Sequence, residues 1–207
     1  INSLDLNDMQ ISRFIVGGEE LSCQLADEIH QKFNGNVEII NEYGPTEATV
    51  GCIVYAYQKG NKREKSLSIG TPINNSRVYI LDEELNLVPK GVPGDLWIAG
   101  DGLARGYLNK PELTSEKFII APFNPKERMY KTGDIARWKL DGTIEFFGRK
   151  DNQVKIRGFR IELGEVENSL LSHKGVKEAV VLARENDNYE KYLVAYITGK
   201  DQVNISE

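Results

Sequence analysis

The chain has 207 residues, enough to bury a sizeable core as one large domain or two small ones. Its 40% hydrophobic and 28% charged residues are ordinary for a globular protein, and its net charge of −5 argues against a general nucleic-acid or anionic-membrane binder, because phosphate surfaces recruit basic ones. No apolar run reaches the roughly 18 residues of a membrane helix, and the two cysteines, Cys23 and Cys52, lack the CxxC or histidine pairing of a disulfide framework or a zinc site. A reducing cytoplasm is the expected setting. Beginning at Ile1 with no visible signal peptide, and ending in a polar tail, the chain reads as a piece of a longer protein.

Residues 12–16, SRFIV, read as a short buried strand that runs into Gly17-Gly18-Glu19. Ser22 is a candidate N-cap for a helix through about Phe33, with Leu21, Leu25, Ile29 and Phe33 as its apolar stripe. Asn34-Gly35-Asn36 ends the helix, and Val37 to Ile40 form the next strand. Strand, helix and strand in about 30 residues predict a βαβ-like unit and an α/β layer, with ligands collecting at the carboxyl ends of the strands. There lies Asn41-Glu42-Tyr43-Gly44-Pro45-Thr46-Glu47, before a second apolar run from Val50 to Tyr57. The Gly-Pro pair forces a turn. The turn presents an aromatic face, a hydroxyl and a carboxylate, a set suited to a purine, a phosphate oxygen and a hard cation such as Mg²⁺; taken alone it reads equally as an ordinary polar turn with Tyr43 packed and Glu47 solvated.

Gly60 to Lys65 read as a basic, exposed loop. Short strands follow at 77–82, 95–100, 128–139 and 143–148, the last two joined by an Asp141-Gly142 hairpin turn, so this region is expected to be small and antiparallel. Residues 110–118 predict a short helix with Pro111 in its first turn. Polarity peaks at 150–153, and a new pattern begins: a hairpin turned at Gly158, a helix with Val166, Leu170 and Leu171 inward, and two strands, KEAVVLARE and KYLVAYITG. A βαβ-like arrangement there predicts a second domain, with the division 1–150 and 151–207.

Three more clusters carry chemistry. Gly100 to Tyr107 is a Gly-rich turn with one Arg; it lacks the spacing of a dinucleotide fingerprint or a P-loop and reads as mainly structural. In Tyr130-Lys131-Thr132-Gly133-Asp134, a short carboxylate after a glycine can accept two hydrogen bonds from a vicinal diol, or simply close a turn. Arg149, Lys150, Lys155 and Arg157 form a basic cluster that would ordinarily be a solvated face, but it flanks the expected domain boundary, where ligands often bind. His30 and His173, each on an expected helix, read as surface or packed residues.

In this order and spacing, NEYGPTE, GDGLARGYLNKPELT, YKTGD and GRKDNQVKIRGFRIELGEVE match core motifs of the adenylate-forming superfamily nearly letter for letter. The chain resembles the adenylation domain of nonribosomal peptide synthetases over essentially its whole length. The resemblance implies an α/β fold: the end of the large N-terminal domain (βαβ layer plus small antiparallel β subdomain), followed by part of the small, mobile α+β C-terminal domain. It also implies that the family's phosphate loop lies upstream and its catalytic lysine downstream, so that the isolated chain is incomplete.

The implied activity is ATP-dependent activation of an amino acid to an aminoacyl-AMP, then transfer to a phosphopantetheine thiol on a peptidyl carrier protein, beside a condensation domain of the same synthetase. By resemblance, Glu47 helps hold Mg²⁺, Thr46 hydrogen-bonds the α-phosphate, and Tyr43 stacks on adenine with Asn41 and the Gly18 backbone nearby. Asp134 binds the ribose hydroxyls, Arg149 joins it, and Asp151 is the hinge of the mobile domain. Lys155 and the Gly158 loop face the carrier side after rotation. The family's pocket positions fall on Ile15, Gly17, Glu42, Val50 and Gly51. There Glu42 is a buried acceptor that needs a donor, a pattern similar to asparagine-selecting pockets and also satisfied by an ornithine-like cation. An acyl-CoA ligase, a D-alanine–carrier-protein ligase and a non-catalytic nucleotide-binding or docking fragment are the alternatives.

Overall fold

A computed structural model of the chain describes residues 10–59, 66–186 and 191–200; the basic stretch 60–65, expected as a loop, and the polar tail 201–207 lie outside them. The chain separates into two compact units that divide between Lys150 and Asp151. Sheets and helices mix as expected of an α/β protein.

The first unit begins with β1 (Arg13–Gly17), α1 (Cys23–Lys32) and β2 (Glu38–Tyr43). β1 and β2 run parallel, in register from Arg13 opposite Glu38 to Gly17 opposite Glu42. Ser22 caps α1 by accepting the Leu25 N–H at 3.1 Å. The helix buries Cys23 and Ala26 against Val37, Ile39 and Leu67, whereas Leu25, placed inward by a strict four-residue repeat, is 46% exposed. A repeat of four drifts around a helix of 3.6 residues per turn, and Ala26 takes the inward place. His30 packs edge-on against Tyr57. β3 (Ile53–Ala56) and β4 (Thr71–Pro72) complete this sheet in the order β1-β2-β3-β4, with β3 antiparallel to β2.

A second, antiparallel sheet follows: β5 (Ser76–Leu81), β6 (Gly94–Gly100), helix α2 (Pro111–Lys117), then β7 (Phe118–Ala121), β8 (Asn124–Trp138) and β9 (Ile144–Arg149). Its order is β5-β6-β8-β7, with β9 pairing β8. The YKTGD glycine does not end a strand here. β8 runs on through Gly133, and the irregularity is a register shift against β9 between Asp134 and Ala136. The sheets share one core, in which Ile53 of β3 meets Ile80, Leu96, Ile98, Ala136 and Ile144. Each of these buried isoleucine and leucine side chains contributes about 1.5–3 kcal/mol. Ile144 also links the sheets through its backbone, donating to Gly70 O at 2.7 Å and accepting from Ile69 N at 3.0 Å.

The second unit holds β10 (Gln153–Ile156), β11 (Phe159–Glu162), α3 (Leu163–Leu171), β12 (Val176–Glu185) and β13 (Lys191–Gly199). The expected hairpin is present, β10 pairing antiparallel with β11; the βαβ-like arrangement is not, since β12, after α3, pairs antiparallel with β13. The first hairpin closes on Arg157 and Gly158, both at positive φ, which suits a two-residue turn. α3 lies on β12, with Glu167 accepting the Val181 N–H at 2.8 Å. Leu171, expected inward, is 41% exposed because it is the last residue of the helix. His173 lies in the turn beyond α3, not on it, and accepts the Gly175 N–H. Among the described residues no helix is long and apolar enough to cross a membrane.

Candidate functional site

The parallel strands β1 and β2 end side by side, so Gly17, Glu42 and Tyr43 are neighbours by register. A Cβ on Gly17 would lie 2.7 Å from the Glu42 carbonyl oxygen; only glycine allows the approach. After Tyr43 the chain folds back on itself: Cys52 N–H donates to Tyr43 O at 3.0 Å and Val50 N–H to Pro45 O at 3.1 Å. Gly44 sits inside this loop, where a Cβ would overlap the Val50 carbonyl. Thr46–Ala48 form a single 3₁₀ turn. Thr49 and Val50 then adopt positive φ, 59° and 64°. For branched side chains this costs on the order of 1–2 kcal/mol each, and the Thr49 hydroxyl offsets part of it by donating to Gly102 O at 2.6 Å.

Tyr43 donates its phenol to Asp134 Oδ2, and Arg149 Nη1 donates to Asp134 Oδ1 at 2.7 Å. β8 and β9 set that pairing, since Asp134 stands opposite Arg149 in the ladder. The ion pair is withdrawn from water on both sides, with side-chain exposures of 16% and 8%, a setting in which a carboxylate must be paired. Asp134 is held from below by its own N–H, which donates to Thr132 Oγ1 at 3.0 Å, while Thr132 donates to Leu96 O. Burial, and then the Asp134 charge, push the Tyr43 phenol well above its usual range, so it remains a donor. Phe146 flanks the Tyr43 ring at 6.1 Å.

Glu47 is 6% exposed. Its Oε1 accepts the Tyr107 phenol at 2.7 Å, and its carbonyl accepts the Ala104 N–H at 2.8 Å. Tyr107 in turn lies 3.4 Å, oxygen to oxygen, from Tyr130. Arg128 holds the Gly-rich loop by its carbonyls, Ala104 O at 2.7 Å and Arg105 O at 2.9 Å. The loop read as mainly structural therefore has a structural task, supporting the carboxylate of NEYGPTE. Sequence reasoning gave Tyr107 and Tyr130 no role, although each stands at the edge of a quoted cluster.

Asn41 is buried, and its amide donates to Ser68 O at 2.9 Å. Glu42 is half-buried rather than buried, and its carboxylate fills the space where a Cβ on Gly51 would lie. Ile15, Val50, Thr46, Gly17 and Gly18 are exposed. Asp151 belongs to the second unit, where its Oδ1 accepts the Gln153 N–H at 3.2 Å. Cys23 and Cys52 are both buried and in no disulfide, and burial pushes the Cys52 thiol up to about 12.

Among the described residues no group of three or more His, Cys, Asp or Glu side chains could cage a metal ion. A lone carboxylate does fit a Mg²⁺ held chiefly by substrate phosphates and water, the usual arrangement for that ion. Glu47, oriented by Tyr107, is such a donor.

Residues 3–108 match the family model described as AMP-binding enzyme. Bacitracin synthase 3 of Bacillus licheniformis is 52% identical over 203 residues, 98% of this chain but 3% of that protein. A solved nonribosomal peptide synthetase protein containing adenylation and PCP domains superposes with a TM-score of 0.81 at 31% identity, over 91% of this chain and 38% of that one. A four-domain nonribosomal peptide synthetase solved with AMP and glycine gives a TM-score of 0.62 at 38% identity, over 96% of this chain and 16% of that one. The chain thus spans a small part of the relatives it matches. It belongs to the AMP-binding enzyme family, in the form found in the adenylation domains of nonribosomal peptide synthetases.

Proposed function

We propose that this chain is part of a domain that activates an amino acid with ATP inside a larger peptide synthetase. Residues up to Lys150 would close the large subdomain, and those from Asp151 would begin the mobile one. The observation that carries this reading is the Tyr43–Asp134–Arg149 constellation, assembled from three motifs beside the carboxyl ends of a parallel strand pair.

Adenylation joins two anions, the amino-acid carboxylate and the α-phosphate of ATP, and releases pyrophosphate. Positioning and charge neutralisation therefore dominate the catalysis. In this reading Tyr43, its plane fixed by the bond to Asp134, stacks on adenine. Asp134, an acceptor for up to about four hydrogen bonds, takes the ribose hydroxyls, and Arg149 holds it in place. Asn41 and Gly18 border the base, and Thr46, exposed at the start of the 3₁₀ turn, donates to the α-phosphate. Glu47 would hold the Mg²⁺, which supplies charge neutralisation between the phosphates. The aminoacyl group would then pass to a phosphopantetheine thiol of a carrier protein, with Asp151 as the hinge and a condensation domain further along the synthetase.

Ile15, Gly17, Glu42, Val50 and Gly51 would line the side-chain pocket. Glu42, packed over Gly51, favours a substrate that donates hydrogen bonds, asparagine in the first instance. Amino-acid-dependent ATP–pyrophosphate exchange on the complete domain, across Asn, Asp, Gln and ornithine, tests this. Stimulation by Asn supports the assignment; stimulation by ornithine alone keeps Glu42 and replaces the substrate. Preference for Asp contradicts the role of Glu42. Exchange supported only by a fatty or aryl acid would move the chain to the acyl-CoA ligase reading.

A further inference from the structure

The first unit keeps its grip on the chain up to its last residue. Arg149 is paired with β8 and bonded to Asp134. Lys150, one residue on, donates its N–H to Gly133 O at 2.9 Å. Its ammonium reaches Glu83 Oε1 at 3.1 Å and Asp95 Oδ2 at 3.5 Å, and Lys131 approaches the same Asp95 oxygen at 4.0 Å. Successive side chains of an extended chain project to opposite sides, and these two reach different strands, Arg149 to β8 and Lys150 to β6. The two acidic partners are not equivalent. Glu83 is 81% exposed, and such a surface pair adds little. The Asp95 side chain is 8% exposed, and a carboxylate so withdrawn from water needs a partner, here the two ammonium groups beside it. From Gln153 the chain belongs to β10.

We infer that Lys150 is a positioning residue that clamps the chain to the β5–β9 sheet through Asp95, so that a change of domain orientation is taken up at Asp151 and Asn152. This rests on the reading of Asp151 as a hinge. Fixing both flanks of a two-residue pivot confines the orientations that the mobile part can adopt, and a lost clamp would lengthen the pivot. The Lys150 ammonium is directed to Glu83 and Asp95, whereas its bond to Gly133, beside Asp134, is made by the backbone N–H and is retained in any Lys150 variant, so the side-chain clamp is separable from nucleotide binding.

The test is made on the complete synthetase module, with Lys150→Met, Lys150→Arg and Glu83→Gln. Amide hydrogen exchange at 149–150 is expected to rise about 3- to 10-fold in Lys150→Met, the range of a partly buried ion pair, and to stay within about 2-fold in the other two. Single-turnover acyl transfer to the carrier thiol falls by a similar factor in Lys150→Met, while the KM for ATP is unchanged. Unchanged exchange in Lys150→Met overturns the clamp, as does an equal rise in Lys150→Arg. Raised exchange with unimpaired transfer overturns its positioning role. A wild-type module that forms no adenylate would refute the proposed activity, while the exchange comparison would still decide the clamp.

Discussion

Asp134 and Tyr43, 91 positions apart in sequence, meet in one hydrogen bond, and Arg149 occupies the other carboxylate oxygen of Asp134 at 2.7 Å. One short side chain thereby fixes an aromatic ring and a guanidinium at once. A flat ligand set against Tyr43 would meet a surface already oriented before binding.

Replacing Asp134 by Asn removes a charged acceptor, worth about 1.5–3 kcal/mol. The KM for ATP is expected to rise at least about tenfold. Tyr43→Phe alone costs about 1 kcal/mol. The two effects should fail to add in a double-mutant cycle, because both break the same bond. Additive losses would show that the pair does not act as a unit in nucleotide binding.

Two glycines of one loop should answer differently to alanine. At Gly44 the new Cβ meets the backbone carbonyl of Val50; at Gly51 it meets the end of the Glu42 side chain. Gly44→Ala is expected to destabilise the protein by about 3 kcal/mol, since backbone must shift. Gly51→Ala should cost less in stability and displace Glu42, lowering the preference among amino acids. Equal denaturant midpoints for the two variants would contradict this.

Tyr107→Phe removes the phenol that orients Glu47. A loss of about 1 kcal/mol in carboxylate positioning corresponds to a roughly fivefold higher Mg²⁺ concentration for half-maximal exchange activity. A Mg²⁺ dependence identical to wild type would leave Tyr107 a purely structural role.

Alkaline pH should destabilise the fold in a defined window. Burial pushes Tyr57 and Tyr79 up to about 12, with Asp27 and Glu127 as their hydrogen-bond partners, and raises Tyr43 well above its usual range. Where the folded value lies above the unfolded one, the unfolded chain releases its proton first, and stability falls as pH rises. The contribution is intact below about pH 10 and is lost as the pH climbs through about 12. Denaturant midpoints should decline from pH 10 to 11.5, less steeply in Tyr79→Phe. A flat profile would contradict the burial argument.

Much of this was legible in the sequence because the signals are local. Ser22, the Asp141-Gly142 turn, Pro111 and the Arg157-Gly158 hairpin each act within a few residues, and each marks an element of the structure. The recurring motifs named the family without any structure. Arg149 was brought to Asp134 only by the family resemblance, because the register that sets them opposite each other arises when β8 and β9 close their hairpin. The meeting of Glu47 with Tyr107 was not legible, since it depends on Arg128 holding the distant Gly-rich loop. The strands on either side of α3 were misread for a related reason. A strand-helix-strand pattern looks the same whether its strands pair with each other or, as here, each with its own hairpin partner.

The most direct test of the account is amino-acid-dependent ATP–pyrophosphate exchange on the complete domain, comparing wild type with Glu47→Ala. Exchange is expected to require an amino acid and to fall at least about 100-fold in the variant, the order expected for loss of a charge-stabilising group. A folded wild-type domain that exchanges with no acid of any kind would contradict it, and would make the chain a nucleotide-binding or docking element instead.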